Sequence, residues 1–160
     1  MKRAWLVAIV LAGCSSVDDD KTTAVTGPDR ASFPLVSTWM EHRCGSLDCH
    51  GSRYRNLRIW GHDGLRLRVG DVPGGSATTR DELDASYLSI VELEPEIMKD
   101  VVAAHGANPE RLTLVRKARG TEKHAGGTVV GVGDPRDRCL TSWLAGSADA
   151  AACDEALDLP

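Results

Sequence analysis

Apolar residues recur at helical spacing along most of the chain from Ser32 onward. Leu35, Val36, Trp39 and Met40 mark the inner face of a helix over residues 34–43. Ser32 stands at its cap position, Pro34 is tolerated in its first turn, and Gly45 ends it. Thr79-Arg80-Asp81-Glu82 has capping-box form, and Leu83, Tyr87, Ile90 and Val91 follow at i, i+4, i+7 and i+8. That predicts a second helix to about Leu93, interrupted by Pro95. Ile97, Met98, Val101 and Val102 predict a third, ending near Ala104. Asn108-Pro109-Glu110 opens a short fourth, to about Ala118. A last helix begins at Asp134 or Pro135 and buries Leu140, Trp143 and Leu144.

Two stretches read differently. Leu57-Arg58-Ile59 and Leu65-Arg66-Leu67-Arg68-Val69 alternate apolar with Arg on either side of Gly61-His62-Asp63-Gly64. Alternation about a glycine-bearing turn predicts a short β-hairpin, with His62 a turn residue. Residues 70–77 read as loop, and residues 120–133 as a glycine-rich loop with a short strand over 128–132. The expected fold class is mainly α, with one β-hairpin and no internal repeat.

The first 31 residues are of another kind. Lys2 and Arg3 precede an apolar stretch from Ala4 to Ala12, too short to span a bilayer as a helix. It ends in Leu11-Ala12-Gly13-Cys14, which resembles the lipobox of bacterial lipoprotein signals. The resemblance implies cleavage of residues 1–13, a diacylglycerol and further acyl chains such as palmitate on Cys14, and membrane attachment through that lipid. An ordinary secretory signal followed by an incidental cysteine is the alternative. Ser15 and Ser16, with no Asp beside Cys14, imply by the same resemblance an outer-membrane lipoprotein facing the periplasm or the cell surface. Residues 14–31 hold little to bury and predict a flexible tether, with the folded domain over 32–160.

Composition narrows the functions. Two of the 19 basic residues lie in the leader and all 23 acids beyond it, so the exported chain carries 17 against 23, a net charge near −6. Such a chain is a poor nucleic-acid binder. Its length fits one domain with a modest core, expected to be monomeric. Beyond Cys14, four cysteines remain in a disulfide-permissive compartment, and four allow three pairings. Cys139 and Cys153 flank the last helix and are expected to pair, pinning the C-terminal tail. A zinc site there would lack a nearby His pair.

The other two cysteines lie in Cys44-Gly45-Ser46-Leu47-Asp48-Cys49-His50. Two thiols followed at once by an imidazole is the arrangement that attaches c-type haem: the thiols join the vinyl groups and the adjacent His binds the iron. The usual spacing has two residues between the cysteines, and this one has four. Beyond it, Gly64-Leu65-Arg66-Leu67, Ser86-Tyr87-Leu88, the loop around His124, and Trp143-Leu144-Ala145-Gly146 occur in the order of a cytochrome-c-like domain abundant in planctomycete and myxobacterial proteins. The chain resembles that family over about residues 33–147.

The resemblance implies a small cytochrome-c-like helical domain carrying haem c for one-electron transfer to a redox protein partner. Cys44 and Cys49 would hold the haem, with His50 as proximal ligand. The family's distal loop offers Met-Pro; this sequence has Lys123-His124-Ala125-Gly126-Gly127, so by position His124 would be the distal ligand, with Met98 and His105 behind it. The competing reading keeps the fold without haem. Cys44 and Cys49 would then close a small disulfide loop, and the protein would be a structural or interaction module.

Charge leaves two readings open. Residues 43–68 hold six Arg against two Asp, and residues 81–110 hold eight acids and one Lys. They pair across the fold, or some Arg receives an anionic group such as a haem propionate. No enzymatic motif stands out: there is no Gly-x-Ser-x-Gly elbow, phosphate-cradling loop or His-Glu-x-x-His.

Overall fold

The computed structural model describes residues 25–159. Cys14 and the lipobox lie outside them, as do the leader and the first part of the expected tether. The elements run α1 (Phe33–Cys44), α2 (Arg80–Val91), α3 (Pro95–Ala103), a single 3-10 turn (Pro109–Arg111), α4 (Thr113–Ala118), α5 (Pro135–Ala145) and α6 (Ala150–Asp158). The fold is mainly α, as the periodicity predicts. None of these helices is long and apolar enough to cross a membrane.

Local signals place most of the boundaries. The Thr79 side chain accepts from the Glu82 N–H while the Glu82 carboxylate accepts from the Thr79 N–H, a complete capping box. Asp134 caps α5 through the Asp137 N–H, with Pro135 in the first turn. Thr79→Ala is expected to lower stability by about 1 kcal/mol, the usual cost of a lost cap, read as a shift in urea midpoint. Ser32 occupies the cap position of α1 without a capping bond from its side chain. Its hydroxyl instead accepts from the Ala148 N–H.

Helices α1, α2, α5 and α6 close the core. Phe33, Tyr87 and Trp143 meet edge-on or tilted, with ring centroids 5.2–6.1 Å apart. Val36, Trp39, Ile90, Val91, Leu140 and Leu144 fill in around them. Helix α6 forms where the sequence predicts a C-terminal tail. Asp149 caps it, and its small buried face of Ala152, Cys153 and Ala156 lies close against α5. Cys139 and Cys153 are joined across that contact.

Packing starts before Ser32, earlier than the expected tether allows. Pro28 is buried. Its carbonyl accepts from Tyr87 Oη at 2.8 Å, and the Asp29 carbonyl accepts from Trp143 Nε1 at 2.8 Å. Those two core ring donors need acceptors, and the incoming strand of chain supplies them.

The predicted β-hairpin does not form. Among the described residues, 57–69 contain only an isolated bridge between Trp60 and Leu65. The backbone groups that would have paired across strands find side chains on α2 instead. Ser89 Oγ accepts from the Arg58 N–H at 2.8 Å, and Ser86 Oγ accepts from the Trp60 N–H at 2.8 Å while donating to the Trp60 carbonyl at 3.1 Å. The Ile59 N–H goes to the His50 carbonyl at 2.8 Å. The segment over 128–132 is likewise no strand: the N–H groups of Val129 and Val130 both donate to the Ala118 carbonyl at the end of α4.

Candidate functional site

Helix α1 carries Cys44 as its last residue, and Gly45 caps it through an N–H bond to the Glu41 carbonyl at 3.0 Å. The chain then folds back in a compact loop. The Cys49 and Gly51 N–H groups both donate to the Ser46 carbonyl at 2.9 Å, and the His50 N–H donates to the Cys44 carbonyl at 2.8 Å. The four residues between the thiols are absorbed by this loop. Two glycines make it possible: a Cβ on Gly51 or Gly64 would lie 1.8 or 1.7 Å from the Gly45 carbonyl oxygen. Gly64 of the Gly-Leu-Arg-Leu segment is therefore a contact point behind the cysteine loop, a matter of space rather than backbone torsion.

Cys44, Cys49 and His50 line one side of a cavity of about 690 Å³, within the usual 300–1,000 Å³ of small-molecule and cofactor sites. Met40, one helical turn before Cys44, is buried at its edge. Leu93 and Glu94 line it ahead of α3, and Thr113, Leu114, Lys117 and Ala118 of α4 line it with residues 123–126 and Val129. Glu94 locks two of these parts together, accepting from the Thr113 N–H at 2.6 Å and from Thr113 Oγ1 at 2.9 Å.

His124 enters from the glycine-rich loop. Its ring lies 5.8 Å from that of His50, centroid to centroid, with the planes 22° apart. His50 Nδ1 is 3.0 Å from the Leu57 carbonyl oxygen, and His124 Nδ1 is 3.2 Å from the Gly127 carbonyl oxygen. A carbonyl can only accept, so in the neutral tautomer these contacts favour, Nδ1 is the protonated nitrogen of each ring. A backbone acceptor that fixes the tautomer is the usual support of a metal-bound imidazole.

Of the residues singled out in the sequence, Cys44, Cys49, His50 and His124 meet in this one cavity. Met98 is buried in the core and His105 is exposed near the end of α3; neither lines it. Cys44 and Cys49 are not bonded to one another. Burial, and then the neighbouring Cys49, push the Cys44 thiol up to about 11, so it stays protonated near neutrality. Nothing in the sequence marks Met40, Arg55, Leu114, Lys117 and Ala118 as residues of the same site. The i, i+3, i+4 spacing of Leu114, Lys117 and Ala118 is a signal only that they share one face of α4.

Part of the charge pairs across the fold: Arg66 is consumed by Glu82, and Arg68 lies 3.9 Å from Asp81. Arg55 remains at the cavity and donates to the Asp48 carbonyl at 3.1 Å. A second, more open depression of about 610 Å³ lies beside α1, where His42 Nδ1 is 2.8 Å from Asp63 Oδ2. His62 lies there too, its Nδ1 3.2 Å from the Ser76 carbonyl oxygen.

Burial, with a smaller contribution from His124, lowers the pKa of His50 below the ordinary 6.5. A base whose folded pKa is depressed binds fewer protons in the fold than in the unfolded chain. Stability is then complete above pH 6.5 and declines as pH falls through 6.5 toward the lowered value. Urea midpoints measured from pH 7.5 to 5 should fall on the acid side, and less so in His50→Gln; identical slopes would contradict the assignment. No protein-family model, curated protein or solved structure matches the chain.

Proposed function

We propose that this chain is a c-type haem protein for one-electron transfer, held at a membrane surface by lipid on Cys14. One observation carries the reading: two imidazoles, each held at Nδ1 by a backbone carbonyl, line the same cavity as both thiols. The ring centres of His50 and His124 are 5.8 Å apart. Two imidazoles and two thiols on one cavity are the donor set that a c-type iron tetrapyrrole would use.

Cys44 and Cys49 would hold the group by addition of each S–H across a vinyl double bond, sulfur to one carbon and hydrogen to the other, with no net oxidation. His50 would be the proximal ligand and His124 the distal one. When bound, the iron supplies a one-electron couple, and two imidazoles set a lower potential than an imidazole with a thioether. Met40, Leu57, Leu93, Leu114 and Val129 would exclude water from the group, and Arg55, Lys117 and Lys123 are cations at the cavity that could meet its carboxylates.

Protein made alongside a cytochrome c maturation system should show a Soret band that survives denaturation, because thioethers are covalent. Cys44→Ala or Cys49→Ala should each lower covalent haem, and His124→Ala should alter the spectrum and shift the potential. Colourless protein from a strain that matures other c-type cytochromes, with mass analysis showing Cys44 joined to Cys49, would favour the disulfide-stapled module instead.

A further inference from the structure

We infer that the paired imidazoles of His50 and His124 capture an iron tetrapyrrole reversibly, before and independently of any thioether bond to Cys44 or Cys49. The inference rests on the proposed function for the class of ligand, and goes beyond it in making the thiols dispensable for binding.

Three features carry it. The cavity walls are set by the chain's own bonds. Leu57, whose carbonyl fixes His50, is buried in the segment that Ser86 and Ser89 tie to α2, and Glu94 ties the start of α3 to Thr113 of α4. The aromatic core of Phe33, Tyr87 and Trp143 packs on itself and does not line the cavity. Each imidazole is held at Nδ1 by a backbone carbonyl, which leaves Nε2 as the nitrogen for a metal and reduces the rotamer freedom lost on coordination. A site with its ligands, walls and tautomers in place needs no covalent tether to bind; the thioethers would then serve to make binding permanent.

The test uses the full-length chain in detergent, produced without a maturation system, and titrated with hemin. Wild type and Cys44→Ala/Cys49→Ala should both give a six-coordinate, low-spin spectrum, with dissociation constants within about tenfold of each other. Acid-acetone should extract all of the haem from both. On the cysteine-free background, His50→Ala and His124→Ala should each lose the low-spin spectrum and bind more than about tenfold more weakly.

The inference is overturned if the folded cysteine-free protein, judged by circular dichroism, binds hemin no better than His50→Ala/His124→Ala. Equal binding by all variants would mean partition into an apolar surface and would overturn it too. Should the double replacement unfold, extraction from hemin-loaded wild type and from Cys49→Ala alone decides the matter. The two proposals fail separately. Covalent haem in the matured protein with no hemin uptake by the cysteine-free variant would leave the electron-transfer reading standing. Hemin uptake with no covalent haem after maturation would remove the c-type assignment and leave this inference intact.

Discussion

Arg66→Ala is expected to cost about 3–5 kcal/mol, enough to unfold much of a small domain, because it strands a buried carboxylate. The side chains of Arg66 and Glu82 are 3 % and 1 % exposed. Arg66 grips Glu82 with Nε at 2.8 Å and Nη2 at 3.1 Å, and its Nη1 donates to the Ser76 carbonyl at 2.8 Å. Glu82 also accepts from the backbone of Leu67 at 3.1 Å and Thr79 at 2.8 Å. Burial pushes the Glu82 carboxyl upward, but Arg66 and those N–H groups outweigh it and hold it at about 2. One pair thus fastens the irregular segment over 62–78 to the first turn of α2. A carboxyl with a depressed folded pKa contributes stability above its unfolded value of 4.5, lost as pH falls from there toward 2. Arg66→Ala should flatten that acid limb as well as lower the urea midpoint. Arg66→Met/Glu82→Met should be less damaging than either single change, since it removes both charges from the interior. A single mutant within about 0.5 kcal/mol of wild type would show that the pair is not buried in solution.

Replacing Cys139 and Cys153 together by alanine should cost about 3 kcal/mol, the chain-entropy value for a loop of this size. The two cysteines are 14 residues apart in sequence and 0 % and 2 % exposed. Helix α6 buries only Ala152, Cys153 and Ala156, a small apolar face for its length. It depends on the crosslink, and on the contacts of Arg136 with the Leu159 carbonyl, more than the aromatic helices do. Hydrogen exchange should therefore show α6 opening first in the reduced or substituted protein, ahead of α1 and α2. A urea midpoint unchanged by reduction, with the disulfide confirmed by peptide mapping, would contradict this.

The candidate site was half legible in the residues. Cys44, Cys49 and His50 are consecutive parts of one loop, and their spacing alone raises haem chemistry. His124 could be proposed only by its position in a resemblance. Nothing local to Lys123-His124-Ala125 says that its ring will stand 5.8 Å from His50. Spacing puts Leu114 on one face of α4, but does not show that Leu93, Leu114 and Val129 line a cavity, because apolar residues lining a cavity and apolar residues filling a core carry the same pattern.

The sequence by itself determined the helices other than α6: the Thr79–Glu82 capping box, the Asp134-Pro135 start and the i, i+4, i+7 apolar spacing act over one or two turns, where chain neighbours supply every partner. It also determined that two thiols and an imidazole share one loop. Only the tertiary structure decided the rest. Arg58 and Trp60 alternate as a strand would, yet their N–H groups bond to serines 31 and 26 residues away on α2. Period-two patterning states which face is apolar, and the identity of the hydrogen-bond partner is a long-range fact. The same holds for Pro28 and Asp29, polar-looking tether until Tyr87 and Trp143 present ring donors to their carbonyls. It holds for Arg66, whose charge reads as surface until Glu82 arrives from α2 to neutralise it inside the fold.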